Sequence, residues 1–214
     1  MKEKKKGTLI LDISEPRAVE ETIMELPRIE CVILAAGSSN RLGRDKALIR
    51  IGTGTLVGWL SERVSNKGVD VTVVANKTNI AEISAKLPES NVVENTEPQK
   101  GRTGSLKVGI SSIDFSMGAS YRLLVVPVDR PGFSDSTLER LIDSDETCCP
   151  MREGRGGHPL LLSPEDVAKV RESSDDLPLR DIVDPFKFEV LDNSLHLNID
   201  FQCSWCEISK QIKI

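Results

Sequence analysis

Short apolar runs alternate with stretches whose apolar residues recur every three or four positions, and this rhythm continues through most of the chain. Thr8 to Ile13 reads as a strand, and Glu15-Pro16 opens a helix carrying Val19, Ile23 and Leu26. Glu30 to Ala35 is a second apolar strand. Thr55 to Val64 sets Leu56, Trp59, Leu60 and Val64 at i, i+3, i+4 and i+8, which predicts a helix with one buried stripe, closed by a left-handed cap at Gly68. Val69 to Ala75 is a nearly continuous β-branched run, as in a strand covered on both faces. The order continues with a helix over Asn79–Leu87, a short strand over Asn91–Glu94, a helix over Thr103–Ile113, a strand over Tyr121–Val128 and a helix over Ser134–Ile142. After that, Thr147–Arg152 and Pro159–Ser163 read as strands flanking the glycine-rich Gly154–Gly157, and Phe186–Leu191 and Leu195–Ile199 as two more.

Alternating strands and helices with buried strands predict an α/β fold: a three-layer, Rossmann-like, mostly parallel sheet with helices on both faces. Ligands in such sheets sit outside the carboxyl ends of the strands, so the loops of interest follow Ala35, Ala75, Glu94 and Val128. The expected organisation is a single domain over residues 30–214, with residues 1–29 as a β-α extension on its edge. A chain of 214 residues can bury a core that needs neither disulfide nor metal.

Composition narrows the partners. A formal net charge of −5 with 29% charged residues fits a soluble protein and argues against non-specific nucleic-acid binding. Met1 to Lys6 is locally basic and reads as a solvated terminus. No apolar run approaches the ~18–20 residues that span a bilayer. The stretch TLILDI is too short for a signal peptide and is soon interrupted by Asp12 and Glu15, so a cytoplasmic protein without a membrane partner is expected. A reducing compartment would keep the 5 cysteines as thiols. Cys203 and Cys206 have CxxC spacing, but the adjacent Cys148 and Cys149 make an awkward second half for a tetrahedral zinc site. Buried small apolar residues are the simpler reading of the cysteines. The pattern leaves a monomer and a homodimer both open.

Chemistry concentrates in Leu34 to Lys46, LAAGSSNRLGRDK. Ala35, Ala36, Gly37, Ser38 and Ser39 leave the strand on small residues, which lets a base and a triphosphate approach the backbone amides. Arg41 and Lys46 add a forked and a point cation for phosphate oxygens. Neither a Walker A loop nor a GxGxxG dinucleotide fingerprint is present. A glycine-rich turn with solvated charges is the bland alternative.

This pattern resembles the LxxGxxxRxGxxK signature of nucleotidyltransferases, in the LAAGxSxRMGxxK form of the molybdenum cofactor cytidylyltransferases within the MobA-like NTP transferase superfamily. The resemblance runs from about Val32 to the C-terminus, with Leu42 where the family usually has Met. Three further segments occur in the family's order. Gly101-Arg-Thr-Gly-Ser105-Leu is similar to its Gly-x-x-x-Ser-Leu, Val126-Pro-Val-Asp129-Arg-Pro131 to its Gly-Asp-x-Pro, and Gly154-Arg-Gly-Gly-His158-Pro159 to its Gly-x-x-Gly-His-Pro.

The resemblance implies the nucleotide-diphospho-sugar transferase type of fold and an Mg²⁺-dependent nucleotidyltransferase. It would move CMP from CTP to a phosphorylated acceptor, most plausibly molybdopterin, and release pyrophosphate. Leu34, Ala35, Ala36, Gly37, Ser38, Arg41, Lys46 and Ser105 would bind the nucleotide, with Arg41, Lys46 and Asp129 acting in catalysis. Gly157, His158 and Pro159 would meet the acceptor; a phosphate nucleophile needs no base, so His158 is read as a hydrogen-bond donor or a loop-ordering residue. Ser105 can instead be a helix cap, and Asp129 an N-cap. Asp129 and Asp200 are the expected metal ligands, with Asn198 a lesser candidate. The family's Thr-Pro-Glu-Asp stretch is replaced here by Phe201-Gln-Cys-Ser204, which bears on the second ligand. Ala36 favours CTP over GTP by analogy, because guanylyltransferase relatives tend to have glycine there. The competing readings are a guanylyltransferase of a cofactor phosphate and a catalytically idle nucleotide-binding regulator. His196 reads as an alternating surface residue on a strand and Trp59 as core.

Overall fold

Alternation within two adjacent strands builds the three layers. In β1 (Ile29–Leu34), Cys31 and Ile33 enter one core while Val32 enters the other. In β6 (Arg122–Pro127), Leu124 and Val126 enter the first core and Leu123 and Val125 the second. Both faces are covered, so these strands are apolar apart from Glu30 and Arg122 near their starts. The first face is covered by α1 (Leu56–Ser65), α2 (Ile80–Lys86) and α4 (Asp135–Ile142), and the second by α3 (Gly101–Met117) and α5 (Pro164–Glu172). The coordinates are a computed structural model that describes residues 26–37 and 45–199. The expected strand Thr8–Ile13 and the helix after Glu15 lie outside the described residues, as do Ser38, Arg41, Asp200, Cys203 and Cys206.

The main sheet runs β10 (Phe186–Glu189), β7 (Cys148–Arg152), β9 (Leu160–Leu162), β6, β1, β4 (Asp70–Ala75), β5 (Asn91–Glu94), with β8 (Arg155–Gly156) attached to β7. β6, β1, β4 and β5 are parallel, and β9 is antiparallel to both its neighbours. The chain leaves β1 toward β4 and β5 and then returns to the other side of β1 as β6. That reversal opens a crevice at the carboxyl ends of β1 and β6. Their register pairs Leu34 with Pro127, so the loop after β1 and the turn containing Asp129 emerge side by side.

Helix starts follow local chemistry. Thr55, Ser134 and Ser163 each cap a helix by accepting from the backbone N–H three residues on. α5 is not among the helices read from the pattern. Its signal is nevertheless present in Ser163-Pro164-Glu165-Asp166, a cap followed by proline at the first helical position and two acids. Also outside the pattern reading is the small hairpin of β2 (Arg50–Ile51) and β3 (Gly54–Thr55).

Leu195–Ile199 is not a strand. Leu195 N–H donates to Asp192 O and Leu197 N–H to Ser194 O, so the segment turns twice, and Leu195 and Ile199 are buried by packing on the first core. His196 therefore sits on a turn, with Nε2 at 3.1 Å from Arg152 O. Trp59 is only half-buried, and the Arg63 guanidinium stacks on its ring at 4.6 Å. Cys31, Cys148 and Cys149 are buried thiols, and burial raises the pKa of each.

Candidate nucleotide site and its acceptor side

A cavity of about 270 Å³ occupies the crevice between β1 and β6. Leu34, Ala35, Ala36 and Gly37 form one wall, Val128 and Asp129 another, and the start of α3 with Gly101, Arg102 and Ser105 a third. Among the described residues, none outside its chain neighbours comes within 4 Å of where a Cβ on Gly37 would stand. α3 points its N-terminus into the cavity with no acid in its first turn, a favourable end for an anion.

Asp129 sits just past β6 with its side chain 17% exposed. Its Oδ2 lies 3.9 Å from Lys46 Nζ and 3.8 Å from an Arg102 guanidinium nitrogen. The N-cap of the following helix is Ser134, so Asp129 does not cap it. The Asp129 carbonyl accepts the Ile199 N–H at 3.0 Å, which brings Asn198 beside the strand mouth.

Lys46 is placed by a network that local sequence patterns do not show. Asp45 Oδ1 accepts the Ala47 N–H at 2.8 Å, and Oδ2 accepts Asn79 Nδ2 at 2.7 Å. The same Nδ2 donates to Ala35 O at 3.0 Å, and Asn79 Oδ1 accepts Asn76 N–H at 2.8 Å. Asn76 Nδ2 in turn donates to Ala36 O at 3.3 Å. Two buried carboxamides thus clamp both ends of the glycine-rich loop to the end of β4. Burial raises the Asp45 pKa, against the two hydrogen bonds that lower it. The one signal in the sequence is a pair of asparagines three residues apart just after a buried strand.

Ser105 lies within the second turn of α3 and caps nothing. It donates to Gly101 O at 3.0 Å and accepts Asn95 Nδ2 at 2.9 Å, so its hydroxyl proton is already used. Ala36 is 3% exposed, belongs to the second core with Val32 and Leu106, and also lines the cavity.

A larger cavity of about 780 Å³ adjoins the first and shares Leu34, Arg102 and Pro127 with it. Gly157 and His158 line it. Pro159 is buried, and the Gly157 N–H donates to Pro150 O. A Cβ on Gly157 would sit 2.7 Å from Leu195, so this glycine is also needed for packing. Burial lowers the His158 pKa to about 4, with Arg102 and Arg130 adding to the effect and Asp129 opposing it. The imidazole is therefore neutral near pH 7, able to donate from one nitrogen and accept at the other.

Residues 31–190 match the MobA-like NTP transferase domain. The chain belongs to that family. It therefore carries a nucleotidyltransferase domain of the MobA type, on a nucleotidyltransferase fold. A molybdenum cofactor guanylyltransferase from Cereibacter sphaeroides is 30% identical over 146 residues, covering 66% of this chain and 72% of that protein. A nicotine blue oxidoreductase from Paenarthrobacter nicotinovorans is likewise 30% identical, over 151 residues, covering 64% of this chain and 72% of that protein. Among solved structures, a nucleotidyl transferase from Methanothermobacter thermautotroptrophicus superposes with a TM-score of 0.70 over 87% of this chain and 98% of its own, at 20% identity. No helix among the described residues is long and apolar enough to cross a membrane.

Proposed function

We propose that this protein transfers a nucleoside monophosphate from GTP to a phosphorylated small-molecule acceptor of the molybdopterin kind, releasing pyrophosphate. The observation that carries the reading is Asp129 standing between Lys46 and Arg102 at the mouth of the β1–β6 crevice. One carboxylate flanked by two cations beside an open glycine turn suits a polyphosphate with its metal better than it suits hydride transfer, which the oxidoreductase relative's name would suggest.

The chemistry is an in-line displacement between two anions, so alignment and charge neutralisation dominate. Mg²⁺ takes oxygen ligands, retains several waters and needs only one or two protein carboxylates. Asp129 fits that requirement, with Asn198 and Asp200 as the tail candidates. When bound, the ion would neutralise charge on the triphosphate. Lys46 would meet the β- and γ-phosphates, and the backbone of Ala35 to Gly37 would hold the base and sugar. Arg41 and Ser38 would complete the loop.

The expectation of cytidine rests on Ala36 and on the likeness of Gly154 to Pro159 to the Gly-x-x-Gly-His-Pro segment of the cytidylyltransferase branch. The Ala36 side chain is buried in the second core, so its difference from glycine acts on packing rather than at a base edge. The guanylyltransferase name of the relative supports guanosine better than Ala36 supports cytidine. The test is pyrophosphate release by the full chain with Mg²⁺, molybdopterin and either GTP or CTP. GTP turnover exceeding CTP by about tenfold, some 1.4 kcal/mol of discrimination, is expected. A CTP preference would restore the cytidylyl reading, and release with neither would remove the transferase assignment.

A further inference from the structure

We propose that Arg102, at the start of α3, is the cation that meets the acceptor's phosphate beside the nucleotide, where the 270 and 780 Å³ cavities adjoin. This rests on the transfer reading above and names a residue that it leaves open.

Among the described residues that line both cavities, Arg102 is the one that carries a charge. Lys46 and Asp129 line only the smaller, and His158 only the larger. The Arg102 guanidinium lies 3.8 Å from Asp129 Oδ2, and its side chain is 68% exposed. It is therefore carried by its helix to the place where the two spaces adjoin. The backbone start of that helix is fixed: Ser105 donates to Gly101 O, and Thr103 Oγ1 donates to Leu177 O at 2.6 Å, with Thr103 and Leu177 both lining the larger cavity.

The step needs a charge at this junction. A bond forms from an acceptor phosphate oxygen to the α-phosphorus, the bond from that phosphorus to the β-bridging oxygen breaks, and its electron pair leaves with pyrophosphate. Two anionic groups must come within bonding distance before this happens. A guanidinium presents several N–H donors in a planar fork, so it can touch an oxygen on each. The larger cavity then suits the rest of the acceptor. Leu106, Val125, Leu160 and Val183 line one part of it, and neutral His158 offers one donor and one acceptor. Asp175, Asp176 and Asp184 also line it, Asp175 being paired with Lys100 and Lys107. Arg180 and Lys187 also line this cavity and are the competing phosphate anchors.

The experiment uses the full chain with non-hydrolysable GTP and Mg²⁺ filling the nucleotide pocket, and inorganic phosphate as the probe. The chain has 2 histidines, so the His158 imidazole proton can be assigned in an NMR spectrum and followed as phosphate is added. Arg102→Ala should raise the phosphate concentration at half-shift by about tenfold, the loss of one charge-assisted contact of about 1.4 kcal/mol. Arg102→Lys should fall between, and Lys187→Ala and Arg180→Ala should titrate like the unsubstituted protein. Removing the Arg102 charge should also raise the His158 pKa with or without phosphate, so the phosphate curve itself is the deciding readout. Equal phosphate curves for Arg102→Ala and the unsubstituted protein, or a loss seen only with Lys187→Ala or Arg180→Ala, would overturn the assignment. A phosphate shift that depends on Arg102, in a protein that transfers nothing from GTP or CTP, would keep the Arg102 site and remove the transfer reading.

Discussion

Asn79 donates to Asp45 at 2.7 Å while holding the Ala35 carbonyl at 3.0 Å, so one buried carboxamide joins the two ends of the glycine-rich loop. Lys46 is the next residue after Asp45, and its position at the crevice depends on this joint.

Asn79→Ala should leave the Ala35 carbonyl and one Asp45 oxygen without their donor, at a cost of about 1–3 kcal/mol for each buried group. Asn79→Asp should be worse, because it sets a second carboxylate against Asp45. Denaturant unfolding should rank the two in that order, and calorimetry should show weaker GTP binding in Asn79→Ala under conditions where the protein remains folded. Unchanged GTP affinity in a folded Asn79→Ala would separate the joint from the placement of Lys46.

Asp129→Ala should reduce turnover by about a hundredfold or more, as loss of a group that neutralises or organises transition-state charge does. Binding should respond in a different way. Lys46 and Arg102 lose the carboxylate they now flank at 3.9 and 3.8 Å and become available to the triphosphate. GTP binding without Mg²⁺ should therefore tighten, and its dependence on Mg²⁺ should shrink. Calorimetry with and without the ion checks both, and an unaltered Mg²⁺ dependence would remove Asp129 as the ligand.

His158 makes acid stability measurable. Its pKa is lowered from 6.5 to about 4 on folding, so between those values the unfolded chain binds a proton that the folded protein does not. Stability from this residue is thus complete above about pH 6.5 and falls as the pH drops toward 4. The full loss is about 3 kcal/mol, because each pH step between the two values is worth about 1.4 kcal/mol. His158→Gln should flatten that part of the profile in denaturant titrations at a series of pH values. A profile as steep as the original would place the titrating group elsewhere.

Gly132→Ala tests how the tail is held. A Cβ there would lie 1.8 Å from Ser194 O, a backbone atom that cannot rotate away. The segment from Asp192 to Ile199 would have to shift, with a cost of at least about 1–3 kcal/mol typical of overpacking. For a chain of this size that is a fall in Tm of several degrees, at roughly 2–4 °C per kcal/mol. Because Ile199 bonds to Asp129, Mg²⁺-dependent GTP binding should weaken as well. A melting temperature equal to the original would show that the tail can move at no cost.

Most strands and helices of the main sheet's layers were legible in the sequence, because side-chain period is a local property. Asp129 at the end of the most apolar strand was legible for the same reason, and so was the family, from four short segments in order. Local pattern failed where burial has another source. Leu195 to Ile199 alternates like a strand, yet turns of the backbone rather than a sheet edge bury its apolar residues. The joint from Asn79 to Asp45 spans 34 residues, and the meeting of Arg102 with Asp129 and His158 draws on three separate elements. Hydrogen-bond partners and field effects of that kind are set by which elements pack side by side. The sequence by itself determined the layers and the place of the glycine-rich segment after β1; the tertiary structure decided what holds Asp45 beside it, what keeps His158 neutral and which cation stands between the two cavities.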